Sequence, residues 1–351
     1  MLVVPGLSLK NLQPRVWDPA SPYFLPCLRA VMVSYGEFHQ MPTQMEKARK
    51  QGLRKYLGVP PNISVYLDNG AFYFLRTGDE AQRKTYQDFV AKAKPDWYPM
   101  AFDVIPTPQM SDARQRQCFD KTMAANRAYT QDGYVPVIHV GRMLNHYIKA
   151  IVRNPKLAAK DRIALGGIVP NLLRAPKALS YSTILENLLH VRTTFQHKAV
   201  HIFGIGGTAT LHLAALLDIN SVDSSGWRNR AARGIVQLPG SGDRVVSNLG
   251  KWRGRSPSKE EWEKLRRCRC PACLANGTRG LMASGLGGFC NRATHNLWIL
   301  IEEARWLEKH LRANSYTNNY RRRLDNSTYV QLIEKMLDMK RAKKKDGFVV
   351  P

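Results

Sequence analysis

The chain is short of acid. Its 351 residues hold 27 Asp and Glu against 53 Lys and Arg, a formal net charge of +26. A surface this basic repels itself when compact and calls for an anionic partner. Nucleic acid fits best, an anionic membrane surface is a distant second, and a solvated basic face is the plain alternative. Cysteine is also scarce. Six in a chain of this length exclude a disulfide scaffold and point to a reducing cytoplasm. No apolar run is long enough to span a bilayer. The start, Met1-Leu-Val-Val-Pro, has neither the basic region nor the cleavage site of a signal peptide. A cytoplasmic protein that does not enter membranes is expected. Internal repeats and low-complexity segments are absent from the sequence too.

What is present is alternation. With 44% hydrophobic residues the chain can build one large core or two ordinary ones. Short apolar, β-branched runs at 28–33, 64–67, 98–102, 134–138, 162–165, 200–203, 219–222 and 234–238 read as strands. Helical segments lie between them, and this order predicts a parallel sheet covered by helices. Eight such strands would close a (β/α)8 TIM barrel of roughly 240 residues. The expected division is therefore an α/β barrel over residues 1–240, a metal-binding subdomain with a closing helix over 241–312, and a basic helical tail over 313–351. Residues 241–259, rich in Gly, Ser and Arg, read as an exposed connection. The Arg321-Arg-Arg323 run and the basic run at 340–345 are either binding surfaces or solvated faces.

The clearest local signal is Cys268-Arg-Cys270-Pro-Ala-Cys273 followed by His295. Three thiols and an imidazole form a tetrahedral set suited to a closed structural Zn2+ site. Cys290 competes with His295 as the fourth ligand.

A second signal lies at the strand ends. Asp68 closes Val-Tyr-Leu-Asp, Asp103 closes Ala-Phe-Asp, and His139 closes Val-Ile-His. Gly166-Gly167 closes the fifth run, Gly204-Ile-Gly-Gly207 the sixth and Asp223 the seventh. In a parallel barrel these positions share the C-terminal mouth, where active sites are built. One such aspartate alone is most often a turn or capping residue. Three that converge suit chemistry at a glycosidic carbon, where one attacks or stabilises C1′ and another moves a proton on the base. The glycines would let a planar ligand approach their backbone. Gly206-Gly207 could hold a phosphate at a helix N-terminus, with close packing as the simpler explanation. Arg228, Arg230 and Arg233, just after Asp223, are candidates for phosphate contacts, and Trp227 for stacking on a base.

Taken in order, LDNGAF at Asp68, AFDVIPTP at Asp103, ALGGIVP at Gly166, HIFGIGG at Gly204 and VDSSGWRNRAARG at Asp223 resemble the motifs of the queuine/archaeosine tRNA-guanine transglycosylases. The cysteine cluster ending at His295-Asn296 resembles their zinc site. The likeness runs from about residue 25 to about residue 310. It implies a zinc-containing barrel that exchanges guanine in nucleic acid for a 7-deazaguanine by double displacement. Asp223 would then be the nucleophile that forms a covalent glycosyl intermediate, and Asp68 the general acid/base. Asp103 would grip the guanine-like edge, with Asn69, His139, Gly166 and Gly167 also lining the base pocket. Cys268, Cys270, Cys273 and His295 would bind the zinc.

The departures matter. The tRNA enzymes read Asp-Ser-Gly-Gly-Phe-Gln where this chain has Asp68-Asn-Gly-Ala-Phe-Tyr73. His139 stands in place of a base-reading glutamine, Pro170-Asn171 breaks the glycine loop, and no appended RNA-binding domain is evident. The chain is more similar to the 7-cyano-7-deazaguanine DNA transglycosylases of modification-restriction clusters. That likeness implies DNA and a 7-deazaguanine base as partners, together with helper proteins of such a cluster. The alternatives are the same exchange on tRNA, or a non-catalytic zinc-containing subunit that binds nucleic acid.

Overall fold

Apolar runs become strands in the computed structural model, which describes the chain apart from residues 80–81, 101, 130, 169–178, 251, 326 and 346–351. Pro170 and Asn171 lie outside the described residues, as do the side chains at 343–345. In chain order the strands are β1 (Leu2–Pro5), β2 (Ala30–Ser34), β3 (Ser64–Asp68), β4 (Tyr98–Pro99), β5 (Tyr134–Val135), β6 (Val137–His139), β7 (Arg162–Gly166), β8 (Ala199–Ile202), β9 (Ser221–Ser224), β10 (Ile235–Leu238) and β11 (Gly242–Val245). The fold is mixed α/β, with a parallel five-stranded sheet in the order β1-β9-β8-β7-β6. Its strands are buried along most of their length, as expected where helices cover a parallel sheet.

Two further parallel pairs, β2–β3 and β4–β5, continue the pattern. Single parallel bridges attach them, Gly6 to Met32 between β1 and β2 and Tyr66 to Trp97 between β3 and β4. The Leu7 N–H donates to the Met32 carbonyl at 2.7 Å and the Leu67 N–H to the Trp97 carbonyl at 2.9 Å. Pro136 separates β5 from β6. It has no N–H to give to a ladder, yet its carbonyl accepts from Ala164 N–H at 2.8 Å.

Two expectations need correction. The run at 234–238 does not join the parallel strands; β10 pairs antiparallel with β11 in a separate hairpin. Gly240 and Gly242, with φ of +64° and +82°, turn the chain back at once through a conformation open to glycine. The place beside β9 goes instead to β1, from the extreme N-terminus. Residues 241–259 are likewise not a bare connection, because they carry β11 and the buried Arg244, whose Nε and Nη2 donate to Glu261 at 2.8 and 2.5 Å.

The hairpin belongs to a second, small core of Val236, Leu238, Val246, Leu265, Cys270, Ala272, Cys273 and Leu281. The helix Gly285–Arg312 lies between this core and the main one. Its Ala293, Leu297, Leu300, Ile301, Ala304 and Leu307 enter the main core. The buried Arg292 donates to the carbonyls of Ala231, Leu281 and Ala283. Asn296 accepts from Gln237 N–H at 2.7 Å and donates to Trp227 and Ile235 carbonyls.

Further along the same helix, Glu303 is fully buried. It faces His212 Nε2 at 2.8 Å and accepts from Arg323 Nη2 at 2.7 Å, while His212 Nδ1 lies 2.8 Å from the Tyr316 hydroxyl. Arg323 is thus a structural ion-pair partner rather than a solvated charge. The tail helix Val330–Lys345 packs onto the main core through Ile333 and Met336. Replacing Arg323 by Met leaves a buried carboxylate short of its cation, which should cost about 3–5 kcal/mol. Urea unfolding of Arg323→Met against the parent measures it.

Candidate active site and metal centre

Parallel pairing brings the C-terminal ends of neighbouring strands to one edge, and polar side chains collect there. Ser34 and Asp68 are register partners at the ends of β2 and β3. Asp68 Oδ2 accepts from Ser34 Oγ at 2.9 Å and from Gly70 N–H at 3.0 Å. The turn that delivers Gly70 needs glycine: its φ is +81°, and a Cβ there would lie 2.5 Å from the Gly36 nitrogen. Burial, and then the negative charges of Asp223 and Asp103, push the Asp68 carboxyl up to about 7 against those two hydrogen bonds. A carboxyl tuned this way exchanges a proton near neutral pH.

Asp103 lies just beyond β4 and is buried. Its Oδ1 accepts from Asn69 Nδ2 at 2.6 Å, and Asn69 also donates to the Met100 carbonyl at 3.0 Å. The buried His139 Nε2 sits 3.0 Å from Asp103 Oδ2, off the line of a good hydrogen bond, and its Nδ1 has no hydrogen-bond partner among the described residues. His139 and Gly166 are neighbours across β6 and β7. A Cβ at Gly166 would come within 2.8 Å of His139 Nδ1, and one at Gly167 (φ +74°) within 2.9 Å of the Val140 carbonyl. The glycine pair therefore makes room for the imidazole, whatever it does for a ligand.

Asp223, on β9, accepts from Gly204 N–H through Oδ1 at 3.0 Å. Nearby, Gly206 is held to glycine by packing, because a Cβ there would stand 1.7 Å from Ser224 Oγ. Close packing thus accounts for Gly206 without a phosphate. The three arginines after Asp223 diverge. Arg228 is buried and donates to the carbonyls of Gln13 and Asn11, so its guanidinium anchors the N-terminal segment instead of facing a phosphate. Trp227 is fully buried and donates to the Gly6 carbonyl at 3.1 Å, which removes it as a stacking platform. Arg230 holds Asp243 with its Nε at 2.7 and 2.8 Å. Arg233 stacks 3.8 Å from the centre of the half-exposed Trp252 ring.

Away from the mouth, Cys268, Cys270, Cys273 and His295 place their ligand atoms within 4.8 Å of one another. His295 Nδ1 lies 3.3, 4.0 and 3.4 Å from the sulfurs of Cys268, Cys270 and Cys273. Its other nitrogen, Nε2, points at the Gln237 carbonyl at 3.0 Å. A ligating histidine is commonly oriented in this way, with the far N–H given to a carbonyl. The Cys270 and Cys273 thiols turned toward Cys268, together with His295, hold the Cys268 thiol well below the usual thiol range. The four donors fit a metal ion, and Cys290 is outside the group. No helix is long and apolar enough to cross a membrane among the described residues.

The sequence matches no protein-family model and no curated protein.

Two polar residues beside these aspartates escaped the sequence reading. Ser34 ends its strand as Asp68 does, so the same strand-end rule finds it. His201 lies inside β8 and carries no such signal. Two outcomes are expected. Carbon-13 NMR of the carboxyls should show Asp68 titrating near 7, and Asp223→Asn, which removes a charge that raises it, should move that titration to lower pH. Metal analysis should find one ion per chain, lost in Cys273→Ser and in His295→Ala.

Proposed function

We propose that this chain is a DNA-guanine transglycosylase, which exchanges guanine in DNA for a 7-deazaguanine through a covalent glycosyl-aspartate. The observation that carries the reading is Asp68. It is a proton carrier poised at about 7 and raised in part by the charge of Asp223 at the same mouth. A glycosyl transfer with retention needs such a pair, one carboxylate to attack C1′ and one acid to protonate the departing base. Asp223 takes the first role and Asp68 the second. When the new base enters, Asp68 takes back its ring proton and the base displaces Asp223 from C1′.

Asp103 supplies the recognition. A carboxylate can accept two N–H bonds from the edge of a guanine-like base, and Asn69 and His139 brace it on either side. Gly166 and Gly167 line the same pocket. The parallel pairs and the Gly6–Met32 and Tyr66–Trp97 bridges favour a closed (β/α)8 barrel in which β5 and β6 together form one stave. The three-thiolate, one-imidazole set favours Zn2+ over harder ions. All four ligands come from the protein, so the metal is structural and joins the β10–β11 hairpin to the helix Gly285–Arg312.

DNA is the preferred substrate because the motif departures around Asp68, His139 and Pro170-Asn171 resemble the DNA-modifying branch more than the tRNA enzymes. A duplex base must leave the stack before C1′ is reached, at a cost of a few kcal/mol, and an excess of basic residues can offset that through phosphate contacts. Arg230 and Arg233 remain the candidates for such contacts near the sugar. With DNA and tRNA offered together, labelled 7-deazaguanine should enter DNA. Asp223→Ala should lose exchange on the order of 10⁴-fold or more while still binding DNA. Label appearing in tRNA alone, or normal exchange by the alanine variant, would overturn the proposal.

A further inference from the structure

Asp223 Oδ1 has a second neighbour besides the Gly204 amide. His201 lies on β8 beside Ser221 of β9, with its side chain 3% exposed and its Nε2 3.4 Å from that same oxygen. This nitrogen has no hydrogen-bond partner among the described residues. The ring is not free to turn. Its Nδ1 is 2.9 Å from Ser221 Oγ. Trp97 and Phe203 stand against it with ring centres 4.8 Å away, and Tyr66 lies at 6.2 Å.

The chemistry of the neighbours assigns the hydrogens. An ionised carboxylate only accepts, so the nitrogen that faces Asp223 carries the N–H. The opposite nitrogen then accepts from the Ser221 hydroxyl, which is free to rotate its hydrogen toward it. Oδ1 accepts from Gly204 N–H, and His201 Nε2–H stands 3.4 Å away as a second donor not yet in line for a hydrogen bond. Oδ2 has no partner among the described residues.

We propose that His201, held by Ser221, is the positioning residue for the Asp223 nucleophile, and that Oδ2 is the attacking oxygen. The inference rests on the transglycosylase reading above. The Oδ2–C1′ bond forms as the C1′–N9 bond breaks, and the N9 electron pair leaves with guanine, which takes the proton of Asp68. In the second half the incoming 7-deazaguanine gives its ring N–H proton to the Asp68 carboxylate as its nitrogen displaces Oδ2. Throughout, Oδ1 stays pinned, so the carboxylate does not rotate out of line. Hydrogen bonds of this kind are often long before substrate arrives and shorten in the reacting complex.

The test uses the full chain and a radiolabelled, guanine-containing DNA duplex. It reads the single-turnover rate of the covalent adduct on a denaturing gel and DNA affinity by mobility shift. His201→Leu should slow adduct formation on the order of 100-fold, the penalty of a misplaced reacting group, with DNA affinity unchanged. His201→Gln, which returns an N–H near the position of Nε2, should recover about tenfold of that loss. A leucine variant at the parent rate, or leucine and glutamine variants equally slow, overturns the positioning role. If His201→Leu does not fold, Ser221→Ala replaces it. That change removes the Nδ1 anchor with little loss of volume and should slow the adduct step without changing affinity; a parent-like rate overturns the role. A parent chain that exchanges guanine into neither DNA nor tRNA overturns the transglycosylase reading itself, whereas normal exchange beside an unaffected leucine variant overturns only the role of His201.

Discussion

One polar stripe on a buried helix carries much of the architecture. On the helix Gly285–Arg312, Arg292, His295 and Asn296 are all buried: Arg292 donates through Nε and Nη1 to backbone carbonyls, Asn296 bonds three backbone groups of other segments, and His295 turns Nε2 to the Gln237 carbonyl and Nδ1 to the thiols. Buried guanidinium and amide groups without partners would be heavily destabilising, so this helix fits only one arrangement of its neighbours. Asn296 alone ties the ends of Trp227 and Ile235 to Gln237, and Gln237 reaches the Gly206 carbonyl at 3.4 Å. The metal cluster and the glycine loop beside Asp223 are therefore linked through one side chain.

At the strand ends the constraint is the opposite one: like charges are brought together. Asp68 and Asp103 could each be stable alone, since both accept well-formed hydrogen bonds. The charges of Asp223 and Asp103 beside Asp68 make full ionisation expensive, and Asp68 bears the consequence. Its neighbours are arranged to tolerate this. Ser34 and Gly70 donate to one oxygen of Asp68, and Gly36 stays small so that the turn can close. The glycines that first read as ligand-facing are in part glycines because histidine and serine side chains occupy the space beside them.

Some of this was legible in the sequence for clear physical reasons. Strand runs such as 64–67 and 162–165 stand out because β-branched and apolar residues are bounded by turn formers, and the ligand spacing of the cysteines needs no long-range information. The strand-end rule brought Asp68, Asp103, His139 and Asp223 forward for the same reason. Other features depend on distant partners and have no local trace. Leu2-Val-Val-Pro is only four residues long and becomes a strand because β9 offers it an edge. Ile235–Leu238 has the composition of a parallel strand, yet two glycines fold it back on itself. Arg228 and Trp227 look exposed in a polar motif, but the Asn11, Gln13 and Gly6 carbonyls draw them inward. His201 reads as one more strand residue until Ser221 and Asp223 are placed beside it.

The position of β1 has a consequence for how the molecule is made. Leu2 pairs with Ser221 and Pro5 with Ser224, so β1 leaves the ribosome long before its partner, the last strand of the parallel set. At about 5–20 residues per second that delay is roughly 10–40 s. During it, the edge of Leu2–Pro5 that β9 will pair stays open, while the other side meets β2 through the Gly6–Met32 bridge. Contacts this distant in sequence are slow to form in any chain. For a nascent chain, the interval is a window in which a chaperone or a second nascent copy meets an unpaired strand edge.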